Sequence, residues 1–144
     1  MKTTILKAKQ IRRNWYLIDL KDKILGRVAT QIAFHLMGKN KPLTSHNLDN
    51  GDFVIAINSE NIKVSGKKLK DKLYRRHSGY PGGFKEFTLE EMLSKDSRKV
   101  IEKAVRGMLP KNKLRDKRMR RLKVYKDATH PYEEQVSKNK TIKK

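Results

Sequence analysis

Cysteine is absent from these 144 residues, which excludes disulfides, thiolate zinc sites and cysteine nucleophiles. No apolar run approaches the roughly 18 to 20 residues that are needed to span a bilayer. The opening MKTTILKAKQ has neither a long apolar stretch nor a small-residue cleavage site, so it does not resemble a secretory signal. Acidic residues are also scarce, at 15 Asp and Glu against 36 Lys and Arg. We therefore expect a soluble, intracellular and strongly basic protein.

Positive charge dominates the composition, with a formal net charge of +21 and a pI near 10.3. Like charges repel one another within a compact chain, and binding to a polyanion relieves that repulsion and releases counterions. The charge is concentrated, since residues 111–126 contain nine Lys or Arg and only one acid, Asp116. Nucleic acid is the commonest polyanionic partner, and an anionic membrane surface is the alternative. We expect a nucleic acid and no membrane.

The first half of the sequence has the pattern of a strand, a helix and a second strand. Residues 14–20 form a short apolar and aromatic run that predicts a buried strand. From Leu25 onwards apolar residues recur at helical spacing, and Gly38 is well placed to end the helix. Residues 53–57 are apolar without interruption, which indicates a strand buried on both faces, as in a parallel sheet. Together these elements predict a βαβ unit with a right-handed crossover.

The second half predicts shorter elements. A capping box at residues 88–91 starts a helix through Leu93, and Ser97 is placed to cap another helix that ends before Pro110. Two short strands, at 62–64 and 122–125, and a helix over 112–121 complete the prediction. We expect an α/β fold with a small, largely parallel sheet between helices. The domain boundaries are an N-terminal extension at 1–13, a single domain at 14–126 and a C-terminal extension at 127–144 with a flexible basic end.

Motifs for catalysis or for metal binding are weak. A phosphate-binding loop that ends in Gly66-Lys67 would need Gly at position 61 and Ser or Thr at position 68, where Asn61 and Lys68 stand. No two of the four histidines have metal-ligand spacing. Those histidines are His35, His46, His77 and His130. We therefore expect no metal and no cofactor.

Carboxylates do not indicate an active site. Glu90 and Glu91 lie in the first turn of a predicted helix, where the helix dipole favours acidic side chains. Asp52 is placed to close the turn that enters the second strand. A triad of Ser78, His77 and Asp52 lacks the nucleophile-elbow pattern. We expect no enzymatic activity.

One basic segment, residues 66–77, contains six Lys or Arg and a single acid, Asp71. Its lysines supply point charges, and its arginines offer planar forks that suit phosphate. Its candidate contact residues are Lys67, Lys68, Lys70, Lys72, Arg75, Arg76 and His77. An ordinary solvated pair of strands is the alternative, and His77 could equally make a local hydrogen bond. Tyr74 and Tyr80 could stack on bases or pack against the domain.

Two further segments point to RNA. Residues 78–83 contain three glycines and a proline, which lets RNA backbone or a neighbouring chain approach closely; a plain loop would also be rich in glycine. The segment from Arg106 to Lys123 includes the helix predicted over 112–121, which is polar nearly all round and needs another source of stability, which phosphate neutralisation would provide. A surface helix with exposed charges is the alternative. The candidate contacts there are Lys111, Lys113, Arg115, Lys117, Arg118, Arg120, Arg121 and Lys123.

These landmarks together resemble the bacterial-type ribosomal protein L-thirteen family of the large subunit, over about residues 12–132. The motifs, in family order, are Trp15 with Asp19; Leu25-Gly-Arg27; Gly38-Lys-Asn-Lys41; Asp49-Asn-Gly-Asp-Phe-Val54; Val64-Ser-Gly-Lys-Lys68; Tyr74-Arg-Arg-His-Ser-Gly-Tyr-Pro-Gly-Gly83; Ala104-Val-Arg-Gly-Met-Leu-Pro110; Leu122-Lys-Val-Tyr125; and His130-Pro131. Each motif alone is weak, and the ordered set is highly specific. The sequence departs from the family at Arg115, where a Gly is usual, and at Tyr132, where a His is usual.

The resemblance implies a three-layer α/β/α domain around a four-stranded, mainly parallel sheet. It implies binding to 23S-type ribosomal RNA, contact with neighbouring large-subunit proteins, early incorporation during assembly, and no homo-oligomer. The RNA-facing groups that it implies are Lys39, Lys41, Lys67, Lys68, Arg75, Arg76, His77, Arg106 and Lys111. Arg27 is a further candidate RNA contact. The implied location is the ribosome of a bacterial cytoplasm or of an organelle with bacterial-type ribosomes. The rival functions are an RNA-processing enzyme and a DNA-compacting protein.

Overall fold

The computed structural model describes the backbone of residues 7–141 and the side chains of residues 7–138. The predicted flexible end therefore lies partly outside the described residues. The helices and strands, in chain order, are β1 (Trp15–Asp19), α1 (Leu25–Met37), β2 (Phe53–Ile57), α2 (Lys68–Asp71), β3 (Leu73–His77), β4 (Phe84–Thr88), α3 (Leu89–Met108), α4 (Leu114–Arg120), β5 (Leu122–Val124) and α5 (Glu133–Thr141). Short 3-10 turns lie at Ala8–Gln10 and Ser59–Asn61.

A parallel sheet forms the centre of the fold, with strand order β1-β2-β5. Trp15 pairs with Phe53 at the start of β1, and Val54 pairs with Leu122. The predicted βαβ order is confirmed, with α1 as the crossover. The prediction that β1 is buried is wrong, because β1 lies at an edge of this sheet and leaves Leu17 42% exposed.

The parallel sheet has three strands within residues 7–141, where the resemblance implies four. The predicted strand at 62–64 contributes only an isolated parallel bridge between Lys63 and Ile24. The remaining two strands, β3 and β4, form an antiparallel hairpin. The solvated pair of strands that the sequence left as the alternative for residues 66–77 is therefore present in part, with β3 inside that segment and β4 beyond it. The mixed α/β class is confirmed, and the three-layer arrangement stays a prediction.

The core lies between α1, α3 and the sheet. The predicted apolar face of α1 is buried along its whole length, from Leu25 to Leu36. In β2, Val54 and Ile55 are fully buried, as expected of a central parallel strand. From α3, Val100 and Val105 fill the same core. These packed elements hold the basic segments that leave them in fixed positions.

Helix α3 begins at the predicted capping box, where Thr88 and Glu91 exchange side-chain and backbone hydrogen bonds. The helix breaks at Asp96, whose backbone is extended at φ −159° and ψ 93°. The Asp96 carboxylate accepts the Arg98 amide at 3.2 Å and so caps the second segment. The predicted cap, Ser97, is buried instead, with its hydroxyl 2.8 Å from that of Ser59.

The loop 38–52 returns closely against the end of α1. Gly38 ends the helix in the left-handed conformation, at φ 74°, as predicted. A Cβ at Gly51 would lie 1.8 Å from the Leu36 carbonyl oxygen, so only glycine fits there. The Asp52 amide donates to the His35 carbonyl at 3.1 Å. This close return places two acidic side chains, Asp49 and Asp52, inside the domain.

Candidate nucleic-acid interface

Most of the predicted contact residues are exposed on the surface. Fourteen of the nineteen side chains are exposed: Arg27, Lys39, Lys67, Lys68, Lys70, Lys72, Arg75, Arg76, His77, Arg106, Lys111, Lys113, Lys117 and Arg120. Within the described part of the chain, only Arg75 and Arg106 of this set form an ion pair. The other exposed residues of the set therefore have no acidic partner among the side chains of residues 7–138, and an external anion can approach them.

Residues 73–88, which we call the hairpin arm, carry the exposed cations Arg75, Arg76 and Lys85 beside one exposed acid, Glu86. Arg75 donates to the Glu86 carboxylate across the strands at 2.8 Å. The next cross-strand pair places Arg76 directly opposite Lys85. Two like charges at opposed positions destabilise a hairpin, and a phosphate between them would remove that repulsion. This pair makes the arm a candidate site for an anion.

The tip of the hairpin arm is fixed by its glycines. Gly79 and Gly82 both adopt positive φ, at 86° and 71°. His77 Nδ1 accepts the Gly79 amide at 2.9 Å, so the local hydrogen bond that the sequence left open does form. Tyr80 is 76% exposed at the tip, while Tyr74 at the base packs against the core. Tyr80 is therefore available to a partner, and Tyr74 is mainly structural.

Helix α4 divides its basic residues between two faces. Lys117 and Arg120 point outward with Lys113, which precedes the helix. Arg118 and Arg121 are buried, with 4% and 7% of their surface exposed. The sequence pattern showed a helix that is polar nearly all round, but the structure shows that part of this charge lies inside.

Asp49 is the buried partner of these two arginines. Arg121 donates from both terminal nitrogens to the two Asp49 oxygens, and Arg118 Nε lies 3.6 Å from the same carboxylate. Arg121 also donates to the Leu36 carbonyl oxygen at 3.3 Å. Burial raises the pKa of Asp49, but hydrogen bonds and charge from the arginines outweigh burial and hold the pKa below its usual value. We call Asp49, Arg118 and Arg121 the arginine lock.

A second buried carboxylate, Asp52, binds Lys41. Its Oδ1 lies 2.6 Å from Lys41 Nζ, and Asp52 is fully buried. The same lysine nitrogen donates to the carbonyl oxygens of Arg12 and Asn50, at 2.6 and 2.9 Å. Asp52 Oδ1 also accepts the Asn14 amide at 2.9 Å. Asp52 therefore holds several segments together, beyond the turn-closing role that the sequence suggested.

Three residues of the predicted contact set are engaged inside the fold. The charges of Lys41, Arg118 and Arg121 are directed at Asp52 and Asp49, so we expect these residues to stabilise the fold and not to bind an external anion. Arg115 and Lys123 are half-buried and can contribute only in part. The RNA contacts of the exposed residues stay predictions.

Two exposed lysines were missed. Lys85 lies in β4, outside the basic segments of the sequence, and only the register of the hairpin arm places it beside Arg76. Lys103 lies on α3, with its ammonium group 4.9 Å from the centre of the Tyr74 ring. An isolated lysine on a helix carries no sequence signal that marks it as a contact residue.

Other classes of site are not found in the described part of the chain. Within residues 7–141, no group of three or more His, Asp or Glu side chains could hold a metal ion. No helix in that range is long and apolar enough to cross a membrane.

Comparison with known proteins identifies the family. The sequence model described as Ribosomal protein L13 matches residues 13–131. A large ribosomal subunit protein uL13 from Geobacter sp. (strain M21) is 49% identical over 142 residues, which are 99% of this chain and 100% of that protein. Its namesake from Prochlorococcus marinus (strain MIT 9312) is 53% identical over 131 residues, at 91% and 92% coverage. The chain belongs to the ribosomal protein L13 family, which is a family of large-subunit ribosomal proteins and not of enzymes.

Proposed function

We propose that this protein is a structural constituent of the large ribosomal subunit that binds 23S-type ribosomal RNA and supports early assembly of the subunit. It is part of the ribosome in a bacterial cytoplasm, where a single copy lies among neighbouring large-subunit proteins. The core holds its basic surfaces in fixed register, so that phosphates from distant RNA segments are neutralised together. Lys and Arg contacts to phosphate position RNA by its shape and carry little base specificity.

One observation carries the proposal. Of the fourteen exposed residues of the predicted contact set, only Arg75 and Arg106 pair with an acid in the described chain. An ordinary protein surface interleaves charges of both signs, whereas this surface leaves most of its positive charges without a paired acid. Counterion release on phosphate binding then supplies most of the favourable free energy.

Salt dependence of the affinity for large-subunit ribosomal RNA tests the proposal. The logarithm of the binding constant should fall linearly with the logarithm of salt concentration, by about 0.7 to 0.9 for each phosphate contact. Replacing Lys111, Lys113, Lys117 and Arg120 by Gln should therefore lower the slope by about 3. Arg118 and Arg121 are excluded from this variant, because their loss would disturb the fold. An affinity that does not change with salt would refute phosphate neutralisation.

A matched control removes the same number of exposed charges elsewhere. The residues are Lys9, Lys21, Lys23 and Lys138, all exposed and outside the predicted contact set. This control should change the slope much less than the variant of the α4 surface. An equal change in both would mean that total charge, and no particular surface, determines binding.

Sedimentation and turnover assays separate the rival functions. Stoichiometric travel with the large subunit at high salt supports a structural constituent, and recovery only at the top of the gradient refutes it. Equal affinity for duplex DNA would favour a DNA-compacting protein. Cleavage or modification of RNA by the pure protein would favour an RNA-processing enzyme.

A further inference from the structure

An open groove of about 690 Å³ lies between the start of α1, the helix α2 and the end of α3. Its floor is apolar and includes Ile24, Ala104 and Met108. Ile24 and Met108 are 36% and 40% exposed, although both are large apolar side chains. Gly107 forms part of the wall, and a Cβ built there would meet no atom within 4 Å. The groove is therefore open, apolar at its base and free of obstruction.

Three lysines surround this floor: Lys68, Lys72 and Lys103. Lys72 and Lys103 come from different elements, yet their ammonium groups lie 5.5 and 4.9 Å from the centre of the same Tyr74 ring. None of the three forms an ion pair within the described chain, and Asp71 is the one acidic residue in the lining. Three lysines against one acidic residue leave the lining with a net positive charge, which favours an anion at this position.

An apolar floor with a cationic rim matches the chemistry of a nucleotide. A nucleobase has a flat apolar face, and the phosphate of the same nucleotide carries a negative charge that would neutralise the lysines. We propose that this groove holds a single unpaired nucleotide of the bound RNA, with its base against Met108 and Ala104 and its phosphate between Lys72 and Lys103. The inference deepens the proposed function and rests on it, because the nucleotide belongs to the same RNA.

Continuity with the rest of the basic surface favours RNA over a peptide. Lys72 immediately precedes the hairpin arm, which begins at Leu73, and α2 contacts both β4 and α3. RNA that lies along the arm therefore passes the rim of the groove. A peptide from a neighbouring protein would have to supply acidic side chains as well as an apolar one. That occupant is an alternative outcome of the test.

Gly107 allows the groove to be filled without loss of charge. Gly107→Phe places a ring in the open space, while Gly107→Ala makes the same backbone change without the bulk. We expect Gly107→Phe to lower the affinity for naked large-subunit ribosomal RNA about tenfold, within the range that a lost base contact produces. Its salt slope should stay unchanged, and Gly107→Ala should bind like the wild type. Circular dichroism of both variants would check that they are folded.

Lys103→Gln tests the phosphate half of the proposal. It should lower both the affinity and the salt slope, the latter by about 0.7 to 0.9. Lys138→Gln on α5 removes one exposed charge outside the groove and should change the slope less.

Chemical probing of the bases identifies the nucleotide. A base that the wild type and Gly107→Ala protect should become reactive with Gly107→Phe. If Gly107→Phe keeps full affinity and the same protection pattern, the groove does not bind RNA and the inference is wrong. The inference is also wrong if Gly107→Phe binds naked RNA normally and is impaired only in subunit assembly with other proteins present. That result would indicate that a peptide occupies the groove. If the wild type itself shows no salt-dependent affinity for this RNA, the proposed function fails first.

Discussion

Asp49 and Arg121 are 72 residues apart in sequence, yet both terminal nitrogens of the arginine donate to the two oxygens of the carboxylate. Both side chains are almost fully buried, at 11% and 8% exposure. The contact ties the loop 38–52 to the end of α4, just before β5 begins at Leu122. The outward-facing cations of α4 therefore depend on this internal pair for their position.

Asp49→Asn should destabilise the protein by about 3 to 5 kcal/mol, because it leaves two buried guanidinium groups without a negative charge. Urea unfolding at neutral pH measures the change. Asp22→Asn is the matched control: it removes a carboxylate from the exposed pair with Lys63, which has 60% and 64% exposed side chains. An exposed pair contributes little to stability. A loss with Asp49→Asn no larger than that of the control would contradict the role of the lock.

Acid should weaken the same lock. Burial alone would raise the pKa of Asp49, but the bonds and charges of the two arginines hold it below its usual value. The folded state thus binds a proton less readily than the unfolded chain, so the stabilisation is complete at neutral pH and is lost as pH falls below about 4. We expect the stability difference between wild type and Asp49→Asn to shrink between pH 7 and pH 3. A difference that stays constant in urea unfolding over this range would oppose the assignment.

Gly51→Ala should be among the most damaging small substitutions in the chain. The added Cβ would lie 1.8 Å from the Leu36 carbonyl oxygen, so backbone must move and the lock with it. We expect a loss of about 3 kcal/mol or more. Gly26→Ala, in the first turn of α1 with no atom within 4 Å of its Cβ, should instead be neutral or slightly stabilising. Thermal unfolding of the two variants compares them, and equal effects would argue against the close approach.

The sequence predicted the helices that are marked by local apolar spacing or by a capping box. The apolar spacing from Leu25 to Leu36 identified α1, and the capping box at Thr88 identified the start of α3. The sequence offered the hairpin arm only as the alternative of a solvated pair of strands, because its strands are largely exposed and show no alternation of apolar residues. The segment 62–64 shows the opposite error: it was predicted as a strand, but only Lys63 forms an isolated bridge.

The sequence predicted which basic residues could form the candidate site, but not which of their side chains point to solvent and which point into the fold. A charged run in sequence does not reveal which members have a carboxylate within reach, and Asp49 is distant in sequence from Arg118 and Arg121. Lys41 was assigned to RNA for the same reason, although Asp52 lies 2.6 Å away in the fold. Lys85 was missed because only strand register brings it opposite Arg76. Long-range pairing decides these cases, and one sequence does not display it.

Arg76→Gln should have opposite effects on the free protein and on its complex with RNA. In the free protein it removes the repulsion from Lys85 across the hairpin arm, so stability should rise by about 0.2 to 1 kcal/mol. In the complex it removes a phosphate contact, so affinity for large-subunit ribosomal RNA should fall and its salt slope should drop by about 0.7 to 0.9.

Arg75→Gln is the neighbouring control for this pair of measurements. Arg75 donates to Glu86 at 2.8 Å, so its loss should lower the stability of the free protein slightly and leave a carboxylate beside the RNA. Urea unfolding and RNA titration of the two variants then separate repulsion within the arm from attraction to phosphate. If Arg76→Gln lowers the stability of the free protein, as Arg75→Gln should, like charges do not destabilise the hairpin arm. The argument that the arm binds an anion would then be wrong.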